Sequence, residues 1–445
     1  MLTRREFDPA HDAEFFSALP AGMAAFVLRA NTPGGEPYVS KTANLRRRLQ
    51  RLLSAPDARP SKPITGSLGT PAQARRLNLR ERVSAVEFLE VGGDFEAGFA
   101  LYRLLRSEFP QSYATRLHLR PAPLLHMLRE NPYPRVAVTS RLRSLRSAGD
   151  YFGPFASRTE AEQYANDSLD FFLLRRCTPE LNPDPAFPGC VYSEMKMCLA
   201  PCFKGCTDER YAQEAASVGR YLESGGRSLL VELGRTRDEA SARLEFEAAA
   251  AAHARLEKLK SLQARLSEIV HPIDRLNGVL LQPSHLAGHI SLFRVAAGML
   301  AGPIAFDVAP PPQHANSRRA GGPAQTQSSQ SHSMEARIKD ALGAARPPTL
   351  ASAQELMEHL AILKRWYYRS NKVGEIFFED EHGTLPMRRV VRAVGRVFKG
   401  EKPAGDLSET AGDYWAFRGQ EAGLHPSAPT AGTPGTPGSP EIPRK

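Results

Sequence analysis

The 445-residue sequence has no run of apolar residues that approaches the ~20 needed to cross a bilayer. Its first residues, Met1-Leu-Thr-Arg-Arg-Glu, lead into a polar stretch rather than into the apolar segment of a secretory signal. Cysteine is scarce too, and all five cysteines lie between positions 177 and 206, which is not the distribution of a disulfide framework. These absences argue against a membrane-spanning protein and a secreted disulfide-rich domain. They predict a cytoplasmic protein without a membrane partner.

Negative charge is in the minority, because 58 Lys and Arg residues outnumber 48 Asp and Glu residues and give a formal net charge of +10. The isoelectric point near 9.4 favours an acidic partner, of which nucleic acid is the commonest for a basic protein. A basic surface that serves only solubility is the alternative. Hydrophobic residues make up 42% of the chain, which is enough for ordinary cores in two to four domains.

The order of apolar patterns predicts a multidomain protein that combines α/β and α segments. Met23–Arg29 has the length of a strand, Asn44 precedes leucines at helical spacing, and Leu229–Ile269 has the three- and four-residue steps of paired helices. We predict an α/β domain over 1–115, a cysteine-rich region over 116–225, a helical hairpin over 226–272, a partial α/β segment over 273–400 with a disordered insert at 309–333, and a disordered tail over 401–445.

The cysteines form a metal-site pattern: Cys177, Cys190, Cys198 and Cys202 are spaced C-x12-C-x7-C-x3-C, and Cys206 follows. Thiolates are soft ligands that suit zinc or an iron–sulfur cluster. Two closely spaced C-x2-C pairs are absent, so a generic zinc finger fits poorly. Scattered buried thiols are the alternative.

Three motifs around these cysteines resemble the UvrC family, the nuclease subunit of bacterial nucleotide-excision repair. They are Tyr151-Phe-Gly-Pro-Phe, Leu173-Leu-Arg-Arg-Cys177 and Cys198-Leu-Ala-Pro-Cys202, in the family's order. The resemblance implies an iron–sulfur cluster held by Cys177, Cys190, Cys198 and Cys202, with zinc as the alternative metal. Cys206 is additional to the family's pattern.

Leu244-Glu-Phe-Glu-Ala-Ala resembles the UVR motif, the helical hairpin through which UvrC contacts UvrB. The resemblance implies a UvrB-binding surface composed of Leu244, Phe246, Glu247, Ala249 and Leu256. The family's Arg-Asp pair after this motif falls on His253 and Ala254, so the chain departs from the polar part of that interface.

The first 115 residues resemble a GIY-YIG nuclease domain, which hydrolyses phosphodiesters with a divalent metal held by a glutamate. Tyr38, Lys41 and Arg48 match catalytic positions, and the basic run Lys41, Arg46, Arg47 and Arg48 is a candidate DNA-binding face. Other catalytic positions are changed: Phe26, Ser40, Leu52, Leu101 and Tyr113 stand where the family has Tyr, Gly, Tyr, the metal-binding Glu and Asn. A leucine cannot coordinate a hard cation, so the resemblance implies weak or lost hydrolysis.

The second half of UvrC, an RNase H-like nuclease followed by helix-hairpin-helix motifs, has no complete counterpart here. The main hypothesis is therefore a UvrC-like repair protein that binds UvrB and damaged double-stranded DNA. One alternative is an active single-incision endonuclease that uses Mg²⁺ or Mn²⁺ through a substitute ligand, Glu96 or Glu87. The other is a non-enzymatic iron–sulfur DNA-binding protein.

Overall fold

Alternating and helically spaced apolar residues produce three four-stranded antiparallel sheets with helices packed on them. The computed structural model describes residues 2–55, 78–309, 333–345 and 352–401, and these residues belong to one compact unit. None of the helices in these ranges is both long and apolar enough to cross a membrane. The mixed α/β class that the sequence predicts is confirmed.

The first sheet has the strand order β1-β4-β2-β3. Its elements are β1 (Thr3–Glu6), α1 (Asp12–Ala18), β2 (Ala24–Ala30), β3 (Tyr38–Thr42), α2 (Leu45–Leu53), β4 (Val83–Glu90), α3 (Asp94–Glu108) and α4 (Tyr113–Leu117). Asn44 caps α2 as predicted, since its side chain accepts a 2.9 Å hydrogen bond from the backbone N–H of Arg47. Because side chains alternate along β2, Phe26 and Leu28 pack under α2, while Ala25 packs on the opposite face with residues of α3.

The second sheet has the order β6-β5-β7-β8 and packs against a group of helices. Its elements are β5 (Leu124–Leu128), β6 (Arg135–Thr139), β7 (Tyr151–Gly153), α5 (Arg158–Leu169), α6 (Val191–Glu194), α7 (Asp208–Glu223), α8 (Arg227–Ala242), α9 (Phe246–Ala264) and β8 (His271–Pro272). Helices α8 and α9 form the hairpin that the spacing predicts. Leu244, between them, has a positive φ of 61°.

The third sheet has the order β11-β10-β9-β12 and carries helices on both faces. Its elements are β9 (Gly278–Pro283), β10 (His289–Ala296), β11 (Met299–Asp307), α10 (Met334–Ala344), α11 (Ala353–Tyr367), β12 (Glu375–Phe378) and α12 (Met387–Lys399). Helices α3 and α11 share a core with one face, and α10 and α12 share a core with the other. The predicted disordered insert and tail lie outside the described residues, apart from Ala309, Ser333 and Glu401.

Helix α3 joins the first sheet to the third, because it is buried on two sides. Its Phe95 ring meets Trp366 of α11 edge-on at 5.7 Å, and the Trp366 indole N–H donates to the carbonyl of Val373 at 3.1 Å. The carboxylate of Glu358 on α11 accepts hydrogen bonds from the hydroxyls of Tyr102 at 2.8 Å and Tyr113 at 2.7 Å. The first sheet therefore keeps its own core under α2, while α3 links its other face to the core of the third sheet.

Candidate functional site

Two of the predicted nuclease residues lie together on the α2 face of the first sheet. Nη2 of Arg48 donates to the Tyr38 hydroxyl at 3.1 Å. The ring of Phe26, fully buried, lies 6.2 Å from the Tyr38 ring, and Ser40 pairs with Phe26 across the two strands. Leu52 is also buried in this core. The pair of Tyr38 and Arg48 is thus held by a strand and a helix whose apolar residues fix their positions.

Lys41 lies on the opposite face of β3, three residues from Tyr38 and paired across the strands with Ala25. Its Nζ contacts the Asp94 carboxylate at 2.5 Å, and Asp94 also pairs with Arg369. Burial alone raises the pKa of Asp94, but these two cations outweigh it and lower that pKa overall. The three predicted catalytic residues are therefore divided between two faces.

Leu101, which the resemblance places at the family's metal-binding glutamate, is on the Lys41 side of α3. A Cβ at Gly98 would lie 3.9 Å from Lys41 Nζ, and Leu101, three residues further along the helix, shares that side. The side chain of Leu101 has no atom that could coordinate a metal ion there. Tyr113, at the family's asparagine position, is turned to Glu358 on α11, and burial together with this contact raises its pKa to about 12.

The carboxylates proposed from the sequence as substitute metal ligands are already engaged. Arg29 donates to Glu87 at 2.6 Å and to Glu108 at 2.6 Å, and this contact with Arg29 lowers the pKa of Glu87. Glu96 is 4% exposed and accepts hydrogen bonds from the Gly92 backbone at 3.1 Å and the Ser291 hydroxyl at 3.2 Å. Burial raises the pKa of Glu96. Glu87 and Glu96, the substitute metal ligands proposed from the sequence, are therefore bonded to other groups of the protein.

The predicted DNA-binding run on α2 is only partly available. Arg46 donates to the backbone carbonyls of Leu19 and Ser17, so its guanidinium is already engaged in the local fold. Arg48 is held by Tyr38. Arg47 is exposed, and no partner for its side chain is found in the described part of the chain.

The four predicted metal ligands lie in one region, at the loops between α5 and α7. Burial raises the pKa of Cys198, and the charges of Cys190, Cys202 and Cys177 add to the effect. Across the described ranges, no set of three or more His, Cys, Asp or Glu side chains is gathered closely enough to hold a metal ion. The donor chemistry fits a soft metal centre, but the thiols do not form a coordination sphere in this structure.

Arg175 supports this region and was not identified from the sequence beyond its place in the Leu173–Cys177 motif. It is 3% exposed, and it donates to the carbonyls of Tyr133 and Pro179, both at 2.9 Å. Its Nη1 lies 3.6 Å from Cys177 Sγ. A buried guanidinium at this distance would stabilise thiolate charge.

The predicted partner-binding residues lie at the hairpin of α8 and α9, where some are exposed and one is buried. Leu244 is 71% exposed and Phe246 is 70% exposed, an uncommon exposure for two large apolar side chains that lie so close together. Glu247 is exposed and Ala249 half-buried. Leu256 is 5% exposed inside the core of the second sheet, so it does not lie on the exposed surface with Leu244 and Phe246: the helical period that places Phe246 outside places Leu256 inside.

The region that contains the cysteines matches known proteins. The sequence profile of the UvrC/Cho excinuclease middle domain matches residues 122–220. The chain is related to the UvrC family. The matched span runs from β5 through most of α7 and includes the four predicted metal ligands.

UvrC proteins of several bacteria, each named UvrABC system protein C, resemble more of the chain. The Rickettsia bellii protein is 25% identical over 260 residues, which cover 58% of this chain and 38% of that protein. The Acidobacterium capsulatum protein is 29% identical over 253 residues, covering 57% and 37%, and the Idiomarina loihiensis protein is 28% identical over 212 residues, covering 43% and 33%. This UvrC-related chain therefore spans well under half the length of the curated relatives it matches. No solved structure matches it.

Proposed function

We propose that this chain acts in nucleotide-excision repair, where it associates with UvrB and with damaged double-stranded DNA and has weak or no GIY-YIG endonuclease activity. The observation that carries the proposal is the match of residues 122–220 to the UvrC/Cho middle domain. The sequence resemblance of residues 1–115 and of the hairpin motif at Leu244 to UvrC regions extends it to those segments.

The exposed end of the hairpin supports an association with UvrB. Leu244 and Phe246 expose most of their apolar area to solvent, and apolar side chains clustered in this way are typical of protein-binding surfaces. Glu247 lies next to them and supplies a charge at the edge of the surface. The contact surface is therefore Leu244, Phe246, Glu247 and Ala249.

The engagement of four nearby carboxylates supports a loss of hydrolysis. Glu87 and Glu108 are both paired with Arg29, Asp94 is paired with Lys41 and Arg369, and Glu96 is buried and accepts from Ser291. At any of these four residues, a divalent cation would have to displace an existing partner before it gained a ligand. The same arrangement leaves Arg47 to contact phosphate.

An iron–sulfur cluster would be held by Cys177, Cys190, Cys198 and Cys202, and zinc is the alternative. When bound, the metal centre would tie together the loops between α5 and α7. Arg175 would then offset the negative charge of the thiolates from its buried position beside Cys177.

The association is tested by capture of the full-length, anaerobically purified chain on immobilised UvrB. Phe246→Glu should abolish capture, because it buries a charge in the apolar contact. Val231→Glu is the matched control, since Val231 is 66% exposed on α8 of the same hairpin but outside the proposed surface. Loss of capture with Phe246→Glu alone supports the proposal, whereas unchanged capture, or equal loss with both variants, rules out this surface.

The contact between Tyr38 and Arg48 favours a second candidate function, a single-incision endonuclease. An end-labelled duplex with a lesion, incubated with UvrA, UvrB, ATP and Mg²⁺ or Mn²⁺, distinguishes the two. The proposal predicts no incision by the chain while UvrB remains bound. A single cut that disappears with Arg48→Ala would establish the endonuclease instead.

A further inference from the structure

Helix α12 has the most uneven charge distribution among the described helices. It contains five basic residues, Arg388, Arg389, Arg392, Arg396 and Lys399, and no acidic one. At about 100° per residue, the five fall within an arc of about 100°. The buried residues, Met387, Val390, Ala393, Val394 and Val397, fall within a separate arc of about 120°. The helix therefore presents a single basic strip whose orientation is fixed by the core beneath it.

Only part of this positive charge is used within the fold. Arg396 forms a two-point ion pair with Glu375 at 2.8 and 2.7 Å. The guanidinium of Arg389 lies over the Phe377 ring at 5.6 Å. Lys399 reaches Glu401 at 3.8 Å. Arg388 and Arg392 are exposed, and no acidic partner is found for them within residues 2–55, 78–309, 333–345 and 352–401.

The position of Arg388 and Arg389 is unfavourable for helix stability. Both lie in the first turn of α12, where the helix dipole is positive and acidic side chains are preferred. Neighbouring arginines on one strip also repel each other. An external anion removes both penalties, because it neutralises the strip from the solvent side.

The buried apolar arc decides which kind of anion fits. A helix that binds a membrane surface must insert its apolar face into the lipid. On α12 this face is not available, because Val390, Ala393 and Val394 are at most 1% exposed in the core between α12 and the third sheet. Phe398, 47% exposed, is the only large apolar side chain of α12 that reaches solvent. The strip can therefore meet phosphates only through its charges.

We propose that the strip formed by Arg388, Arg389, Arg392 and Lys399 on α12 binds the phosphate backbone of double-stranded DNA. Arg388 and Arg392 are about 6 Å apart along the helix axis, and Lys399 is about 10 Å further on. The phosphates of one strand recur about every 3.4 Å along the duplex axis, so the long side chains reach separate phosphates. These contacts carry no base specificity.

The strip is a DNA contact distinct from the Arg47 face of the first sheet. It lies on the face of the third sheet that carries α10 and α12, whereas α3 and α11, which connect to the first sheet, pack on the other face. The inference rests on the proposed function only in that the chain meets duplex DNA, and it does not depend on UvrB or on incision.

The test measures binding of the full-length chain to an undamaged, fluorescein-labelled duplex by anisotropy across a range of salt concentrations. The variant is Arg388→Gln combined with Arg392→Gln. The matched control is Arg158→Gln combined with Arg235→Gln, two exposed arginines on α5 and α8, each with its own glutamate four residues along. Each double variant changes the formal charge of +10 by the same two units. Thermal melting of both variants checks that the fold is unchanged.

The proposal predicts that the α12 variant weakens binding about tenfold and makes the dependence of log K on log salt shallower by about 2, one for each lost phosphate contact. The control should change both by much less. Equal effects of the two variants, or no effect of the α12 variant on a wild-type chain that binds, would overturn the inference and leave the proposed function in place. Failure of the wild-type chain to bind any duplex would overturn the inference and the DNA part of the proposed function together. Binding to vesicles that contain anionic lipid, with none to the duplex, would overturn the inference in favour of a membrane surface.

Discussion

Helices α2 and α12 are both strongly basic, and they use their arginines differently. Each carries several arginines and no acidic residue, and each buries one apolar face on a four-stranded sheet. On α2, Arg46 holds backbone carbonyls and Arg48 holds the Tyr38 hydroxyl. On α12, Arg388 and Arg392 face solvent. A count of arginines on a helix therefore does not identify a phosphate-binding surface, whereas the partners of each guanidinium do.

The two faces of the third sheet also differ in where their ionisable side chains lie. Helix α12 presents its positive charge to solvent, while His359 of α11 is 2% exposed on the opposite face and is neutral because burial lowers its pKa to about 4. Its Nδ1 accepts a 3.0 Å hydrogen bond from the backbone N–H of Leu300. Charged side chains of α12 face solvent on one side of this sheet, whereas the buried His359 on the other side is uncharged near neutral pH.

The largest effect we predict comes from that buried histidine. The unfolded chain takes up a proton near pH 6.5, but folded His359 resists protonation until about pH 4, so stability falls as the pH drops between these values. The loss attributable to His359 should be about 3 kcal/mol between pH 7 and pH 4. Urea denaturation across this range should show a flatter dependence for His359→Gln, which keeps an acceptor for Leu300.

The charges that face His359 come from two helices, Glu355 and Glu358 on α11 and Arg103 and Arg106 on α3. They stay in place in the variant, so they contribute equally to both measurements. An identical pH dependence of the two chains would show that His359 is not the group that resists protonation.

Unlike Arg388 and Arg392, Arg396 of α12 should contribute to the stability of the fold. Arg396→Gln leaves the carboxylate of Glu375, whose side chain is 12% exposed, without its two-point partner. We expect a loss of about 2 kcal/mol in the free energy of unfolding, less than for a fully buried pair because Arg396 is partly exposed. Arg392→Gln is the control and should change stability by less than about 0.5 kcal/mol. Similar losses for both would mean that the strip is structural throughout.

Arg46 offers the matching test on α2. Arg46→Ala removes a charged donor from the carbonyls of Leu19 and Ser17 and should cost about 1.5 kcal/mol. Arg47→Ala, one position along, should leave the urea midpoint almost unchanged, since its side chain is exposed. If Arg47→Ala were the more damaging variant, the division of roles on α2 would be reversed.

The smallest effect concerns the remaining nuclease-like pair. Tyr38→Phe removes the hydroxyl that accepts from Arg48 and should cost about 1 kcal/mol of stability. It also frees the guanidinium of Arg48, so duplex affinity should stay the same or rise slightly. A large loss of affinity would instead place the Tyr38 hydroxyl in direct contact with DNA.

Helices and strands could be predicted wherever a regular spacing of apolar residues coincides with a residue that typically begins or ends such an element. Asn44 and the leucines after it specify α2, and the three- and four-residue spacing after residue 229 specifies the hairpin. Strand β1 gave no such signal, because Thr3–Glu6 is polar and fully exposed and is a strand only through its pairing with β4. Leu256 was placed on the contact surface by motif resemblance, whereas the helical spacing of Leu256, Leu259 and Leu262 indicates a buried face.

The partners of charged residues could not be predicted, since they come from distant parts of the chain. Tyr102 and Glu358 are 256 positions apart, and Asp94 and Arg369 are 275 apart. These pairs depend on α3 packing against α11, which no local pattern specifies. The grouping of the cysteines followed from sequence order, but their arrangement around a metal remains a prediction.

The position of Trp366 makes it an intrinsic fluorescence probe of the contact between α3 and α11. The chain has two tryptophans, Trp366 and Trp415, and Trp415 lies outside the described residues. Trp366 is buried between Phe95 of α3 and the loop at Val373, so its emission depends on whether α3 and α11 stay in contact. In a Trp415→Phe background, a red shift of the remaining emission would signal separation of the first sheet from the third, even where the backbone of each stayed folded.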